Sequence, residues 1–515
     1  MRDHFQVCPT LLAGFAFLAS APLALAQSLT FVEVTAVSGL DIPLTPNAPG
    51  IAVGDFDGDG WEDVVITGAM NGSPQFFHNR QNILAAGGSG PLFMDVTSHV
   101  MPAGAHDASA SVFADIDNDG DSDLVISRRF INPITGYPTP KHTGVEFFIN
   151  EDYRRTFKEL GADENLGRDP TPHGGLTLGD ADLDGDLDVI FTHNGGGNGI
   201  GGPGFYLRNG PGLTFSDETV AFGANIANTV TRYFSTVLFD FNADLWPDMH
   251  SSVDFFTDVH CRNMGNGSFQ NVSQQVGTTN TGSDMGLTVG DPDMDGDFDV
   301  YSTNINIGIF YENDGAGHFN NTATSHGISS FNHGLTTCVG WGTAFVDFDL
   351  DMDEDLVVVG SLGKGELFLN NGTGQFTRVG SGSGLQLLGR SLVPVDFDHD
   401  GDMDLLVGHE GPATTVRLWE NVTPSTAGRH WIAIDPVGSV SNADGVGCHV
   451  EVKVGDTVMH RAIVIGSSFK SGLPLSAHFG TGNATLVDEI KVHWPSGTVT
   501  SMFNVPVDQL VKIVE

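Results

Sequence analysis

The sequence predicts an all-β protein: a seven-bladed β-propeller followed by a small C-terminal β domain. Three observations predict it. An acidic nine-residue cassette recurs seven times, and each copy is followed by an apolar β-type run and, further on, by an Asn. A Phe-led strand follows the first six copies, is missing after the seventh, and stands instead before the first.

The cassettes are DFDGDGWED (55–63), DIDNDGDSD (115–123), DADLDGDLD (180–188), DFNADLWPD (240–248), DPDMDGDFD (291–299), DFDLDMDED (347–355) and DFDHDGDMD (396–404). They start 49 to 65 residues apart and hold 34 of the chain's 64 acids, so the negative charge is collected into seven loops. The runs that follow, such as VVITG, LVISR and LVVVG, are β-type, and the closing residues are Asn79, Asn150, Asn209, Asn263, Asn313, Asn370 and Asn421. Short β runs separated by Gly, Asn and Asp turns at this period mean a propeller or a solenoid. Solenoid β-helices repeat over far fewer residues, which favours the propeller. The six Phe-led strands begin near Phe93, Phe157, Phe215, Phe269, Phe319 and Phe376, and the displaced one is FVEVT at Phe31. The N-terminal strand is therefore expected to complete the last blade and close the ring, which removes exposed sheet edges.

The pattern Asp-x-Asp-x-Asp-Gly-x-x-Asp places oxygen ligands at positions 1, 3, 5 and 9, with position 7 between them. Calcium takes six to eight hard oxygen ligands, and a Gly at position 6 lets a tight loop wrap round one ion. The helical calcium loop starts the same way but needs a Glu at position 12 and a helix behind it, whereas strands follow here. Candidate metal ligands in the first loop are Asp55, Asp57, Asp59 and Asp63, with the Trp61 carbonyl. In the second they are Asp115, Asp117, Asp119, Asp121 and Asp123, and in the third Asp180, Asp182, Asp184, Asp186 and Asp188. The fourth offers Asp240, Asn242, Asp244 and Asp248, and the fifth Asp291, Asp293, Asp295, Asp297 and Asp299. The sixth offers Asp347, Asp349, Asp351, Asp353 and Asp355, and the seventh Asp396, Asp398, Asp400, Asp402 and Asp404. Five loops keep Gly at position 6; Leu245 and Met352 replace it in the fourth and sixth, and the fourth also carries Asn242 and Pro247. Five Ca2+ sites are expected, with those two loops set apart, because a side chain at positive φ costs about 1–2 kcal/mol.

The formal charge of −42 excludes nucleic acid and anionic membrane as partners. A hydrophobic content of 40% with 9% aromatic residues excludes a disordered acidic chain. Residues 1–26 read as a secretory signal: Arg2, an apolar run from Leu11 to Leu25, and Ala24-Leu25-Ala26 as a small-x-small cleavage site. The run is short for a span and is broken by Gly14 and Pro22, and no other segment is long enough to cross a bilayer. The mature chain is expected to be monomeric and secreted, periplasmic or at the cell surface. Removal of Cys8 with the signal leaves Cys261, Cys338 and Cys448, three separated residues that make neither a disulfide framework nor a CxxC metal site. At least one buried free thiol is expected.

Residues 27–424 form the repeat region, the stretch around 419–430 (WENVTPSTAGRH) is the linker, and 428–515 alternates apolar and polar residues as a small β domain. The loops and their flanks resemble the FG-GAP/VCBS repeats of integrin-type propellers. NADGVGCHVEVKVGD, HFGTGNATLVDEIKVHWPSGTV and the closing KIVE are similar to the ASPIC/UnbV domain, which follows such repeats in the cartilage acidic protein family and its bacterial relatives. The resemblance implies a secreted calcium-binding repeat protein.

No catalytic constellation is legible. His142, His173, His193, His250 and His260 lie in or near the blades as surface or loop residues, with no HExxH and no close His pair for zinc. The run GGGNGIGGPG (195–204) lacks the Lys-Ser/Thr and the helix of a phosphate loop. The leading function is an extracellular interaction or adhesion module, stiffened by calcium, that binds a protein or glycan ligand. A carbohydrate-binding propeller is the alternative, against which six Trp and six Tyr weigh mildly. A lyase-like polysaccharide-degrading enzyme is the third reading.

Overall fold

A computed structural model of the chain describes residues 29–41, 49–68, 74–102, 108–128, 145–151, 157–159, 173–193, 204–223, 232–331, 337–379, 381–409, 415–424 and 428–515. The expected export signal, Cys8 and His142 lie outside these residues, as does nearly all of the 195–204 glycine run.

Seven antiparallel sheets follow one another along the chain, each a meander that runs outward from an innermost strand. The innermost strands are Ile51–Gly54, Ala108–Ala114, His173–Gly179, Arg232–Phe239, Leu287–Gly290, Val339–Val346 and Gly389–Val395. Each ends at an acidic cassette, whose last Asp opens the second strand, as in Asp63–Ile66 and Asp404–His409. Both faces of these sheets are covered by neighbouring blades, so the inner strands read as near-continuous apolar runs, for example the wholly buried ASASVFA of Ala108–Ala114.

Phe31–Glu33 pairs antiparallel with Thr415–Asn421, with Phe31 opposite Asn421 and Glu33 opposite Trp419. The first strand of the described chain is thus the fourth strand of the seventh blade, and no blade edge is left open at the seam. Val393 and Val395 of that blade pack with Ile51 and Val53 of the first in one core cluster. A feature the repeat pattern did not disclose follows several outer strands: one helical turn, at Thr35–Ser38, Thr97–Val100, Thr219–Phe222 and Ser273–Val276. Its first residue turns a hydroxyl back to the third strand, where Thr97 Oγ1 accepts from Phe76 N and Ser273 Oγ from His260 N, both at 2.9 Å.

The C-terminal part forms two sheets. One orders Ala477–Gly482, His430–Val437 and Gln509–Val514, the last two parallel. The other orders Thr457–Ala462, His449–Val454, Leu486–His493 and Val499–Pro506. Their core is continuous with that of the second and third blades: Ile434, Val450, Phe479 and Trp494 belong to the same buried cluster as Val112, Phe147, Leu178 and Phe191. The domain that follows the expected linker is seated on the ring.

The segment after Ala462 enters the centre of the propeller and touches the innermost strand of every blade. Ser471 and Gly472 pair parallel with Ile51 and Ala52 of blade 1, and Gly472 lies against Val112 of blade 2. Gly466 packs against Thr177 of blade 3 and the Thr236 carbonyl of blade 4. The Ser468 carbonyl accepts from Ser235 Oγ at 2.6 Å, its N–H donates to the Leu287 carbonyl of blade 5, and its hydroxyl donates to the Leu392 carbonyl of blade 7 at 3.1 Å. Phe469 packs on Trp341 of blade 6, ring centroids 4.7 Å apart. Gly and Ser predominate here (466-GSSFKSG-472) because seven converging strands leave room for little else.

Candidate calcium-binding loops

All seven cassettes share one hydrogen-bonded frame. The carboxylate at position 1 accepts the backbone N–H of position 5 on one oxygen at 3.0–3.2 Å. Its other oxygen accepts the N–H of position 6 at 2.7–3.3 Å. Position 6 has positive φ throughout, from 88° at Gly60 to 96° at Gly120, and Leu245 at 76° and Met352 at 86° adopt it too. The fourth and sixth loops therefore keep the shape of the others at a cost of about 1–2 kcal/mol each. What sets them apart is their polar contacts.

The seven Asn residues have a double role. Each donates its backbone N–H to the position-9 carboxylate of its own blade at 2.6–2.9 Å. Each also donates its side-chain amide to the carbonyl at position 2 of the preceding blade's loop, at 2.6–3.2 Å. The acceptors are Phe397, Phe56, Ile116, Ala181, Phe241, Pro292 and Phe348, so the chain of bonds runs once round the ring.

The carboxylates converge. Asp55, Asp57 and Asp63 bring one oxygen each within 4.8 Å of one another, and so do Asp115, Asp117 and Asp123, Asp180, Asp182 and Asp184, and Asp291, Asp293 and Asp295. Several buried oxygens make no hydrogen bond, among them Asp63 Oδ2, Asp117 Oδ1, Asp182 Oδ1, Asp293 Oδ1, Asp299 Oδ2 and Asp353 Oδ1. Burial, reinforced by the neighbouring acids, pushes Asp115 and Asp180 up to about 7 and Asp123 and Asp353 up to about 9. Converging, buried, under-bonded carboxylate oxygens are the donor set a hard divalent cation requires. The residues fit Ca2+.

Protein groups enter four of the loops. His78 Nδ1 lies 3.3 Å from Asp57 and 3.1 Å from Asp63 in the first. Arg208 pairs with Asp182 and, at 3.2 Å, with Asp184 in the third. Asn242 Nδ2 donates to Asp248 Oδ2 at 2.8 Å in the fourth, where the other loops offer a second carboxylate. Arg429 reaches Asp349 at 2.9 Å in the sixth. Among the described residues the fifth and seventh loops show no such entry. Trp61 stacks on His399 of the seventh loop at 4.0 Å, and His399 Nε2 bonds Glu62 at 2.8 Å, which bridges the ring's seam.

The C-terminal domain covers this face. The Asp115 N–H donates to Asp444, Asn118 accepts from Ala443 N, Arg461 pairs with the buried Glu354 at 3.2 Å, and Gly401 lies under the Trp431 ring.

The histidine reading needs correction. His250 and His260 are buried, at 0% and 1% exposure, with their Nδ1 atoms 3.3 Å apart; burial pushes His250 down to about 3. Their side chains alternate inward on paired strands, a placement that polar residue type alone conceals. His173 and His193 stand opposite each other in the third blade. In the C-terminal domain His449, His460 and His493 also meet, though they lie 11 and 33 residues apart along the chain. Their signal was the alternation in HVEVKV, VMHRA and KVHW. Cys261, Cys338 and Cys448 are all buried, and none of them is in a disulfide.

Comparison with known proteins agrees with this architecture. FG-GAP-like repeats match residues 55–126 and 347–407, and ASPIC and UnbV matches residues 438–515. The fold is that of a β-propeller. Within it, this chain carries FG-GAP-like repeats joined to a C-terminal ASPIC/UnbV domain. None of the curated proteins compared matches the chain. Among solved structures it is similar to an Agrocybe aegerita lectin specific for non-reducing terminal N-acetylglucosamine, at 18% identity and a TM-score of 0.41, over 77% of this chain and 94% of that one. It is also similar to BBS1N in complex with ARL6DN, at 11% identity and a TM-score of 0.42, over 78% and 98%. A third is the Vibrio cholerae biofilm matrix protein Bap1, at 12% identity and a TM-score of 0.30, over 91% and 74%. Among the described residues no helix is long and apolar enough to cross a membrane.

Proposed function

We propose that the protein is an extracellular, calcium-stiffened interaction module whose ligand, a protein or glycan, docks on the propeller face opposite the acidic loops. One observation carries this reading. The C-terminal domain covers the acidic-loop face and its segment 466–472 enters the central channel, which leaves the other end of the ring, where blades 4, 5 and 6 present described turns between their second and third strands. On three consecutive blades those turns expose large apolar side chains: Phe255 at 61% and Phe256, Ile305 and Ile307, and Leu362 at 78%. Arg232 lies over the Phe255 ring, 5.2 Å from its centroid, and adds a cationic edge. Grouped exposed apolar residues mark interaction surfaces more than isolated ones do.

Calcium acts here as a structural element. It neutralises each acid cluster and fixes the loop from which two strands spring. The test is a pull-down from the native extracellular medium, with a glycan array beside it, in calcium. Phe255→Ser and Leu362→Ser are expected to abolish capture while leaving melting unchanged. Capture that survives both substitutions, or disappears only with changes on the C-terminal domain, places the ligand elsewhere.

A further inference from the structure

Three imidazoles and a carboxylate meet on one face of the C-terminal sheet. His449 and Glu451 stand two apart on their strand and so share a face. His493 is the cross-strand partner of His449, and His460 that of Glu451. His449 Nε2 lies 2.7 Å from His460 Nδ1, and the His493 ring stacks on His449 at 4.9 Å. His493 Nε2 is 3.6 Å from Glu451 Oε2, too far for a hydrogen bond, and this buried nitrogen has no hydrogen-bond partner. The other Glu451 oxygen accepts from Lys491 Nζ at 2.6 Å.

We propose that His449, His460, His493 and Glu451 form a binding site for a first-row transition-metal dication of the zinc type, separate from the calcium loops. Three nitrogen donors and one oxygen suit zinc and its neighbours and do not suit calcium, which takes oxygen alone. His449 Nε2 and His460 Nδ1 are hydrogen-bonded to each other; a cation would replace that shared proton and draw the two nitrogens to about 3.3 Å apart. The four side chains spring from three hydrogen-bonded strands, so their spacing is set by the sheet, and rigid elements hold such constellations best. Lys491 fixes the carboxylate that it pairs with, as outer partners of metal ligands do. Phe298 of blade 5 walls the cluster with its ring 5.0 Å from His449, edge on, and His460 faces Gly296 of the fifth acidic loop. A cavity of about 430 Å³, lined by His449, His493, Trp494, Asp295 and Asp297, gives an ion a path. A metal here would tie the covering domain to blade 5. The plain alternative is a packed cluster of imidazoles that binds nothing.

The two are separated by metal uptake in calcium excess, where the acidic loops are occupied. The full mature chain is titrated with Zn2+ and, for a visible signal, with Co2+. One equivalent is expected, with Co2+ d–d bands of a nitrogen-rich site. His493→Ala, at a half-exposed position, should lose the bands, and the isosteric Glu451→Gln should weaken Zn2+ by at least the roughly 10–100-fold that loss of an outer partner costs. His78→Gln, in the first acidic loop, should leave uptake unchanged. Absence of uptake by the wild type, equal uptake by His493→Ala and Glu451→Gln, or loss only in His78→Gln would each overturn the site.

Discussion

The side-chain amide of Asn79 donates to the carbonyl of Phe397 at 3.0 Å, across 318 residues of sequence. This bond closes the ring between the first and seventh blades, and six equivalents join the other neighbours. Each Asn also holds the last carboxylate of its own loop, so the loop and the blade-to-blade seam are one structure.

Asn79 is wholly buried, and Asn79→Ala leaves the Phe397 and Glu62 carbonyls without its donor. The expected loss is about 1–3 kcal/mol, read by denaturant unfolding in calcium. The exposed Asn320→Ala is the control. Equal midpoints for the two would show that the seam bond contributes nothing.

Calcium removal should invert the pH dependence of stability. Without the ion, burial and like charge raise Asp115, Asp180 and Asp396 to about 7. The folded state then binds protons that the unfolded state releases. The stabilising contribution is complete below the ordinary value of 3.8 and is lost as pH rises through about 7. Chelated protein should therefore melt higher at about pH 5 than at about pH 8. Calcium-loaded protein should do the opposite, since protons compete with the ion. At ten times Kd each occupied loop adds about 1.4 kcal/mol. Parallel pH profiles with and without chelator would refute the metal reading of the loops.

Gly466→Val should unseat the segment that fills the channel. Gly466 has φ +107°, and a Cβ there would stand 2.5 Å from the Thr236 carbonyl oxygen. Overpacking of this kind costs about 1–3 kcal/mol or more. Limited proteolysis should then cut between 463 and 473. A variant that resists protease and melts like the wild type would show that the segment is not held by the blades.

Deletion of residues 29–36 removes the strand that pairs with Thr415–Asn421 and bares a sheet edge. Light scattering should report oligomers or aggregates. A truncated chain that stays monomeric with unchanged melting would mean that the ring needs no N-terminal strand.

The seven repeats, their β character and the carboxylate convergence were legible because each is a chain-local matter. Alternate aspartates in a tight turn point at one place wherever that turn sits, and the positive φ at Leu245 and Met352 follows from the neighbours' glycines. Even the seam was legible, since a strand missing at one end and surplus at the other has one partner. Tertiary structure alone decided what enters the loops and what covers them. Arg208 and Arg429 reach acids across strands and across the domain boundary, and no spacing rule announces such a pair. The GSSFKSG segment reads as an ordinary loop until seven inner strands converge on it. His449, His460 and His493 became neighbours only when antiparallel register set three strands side by side. Contacts within one turn are fixed by bond geometry, whereas contacts between distant segments depend on how whole faces pack.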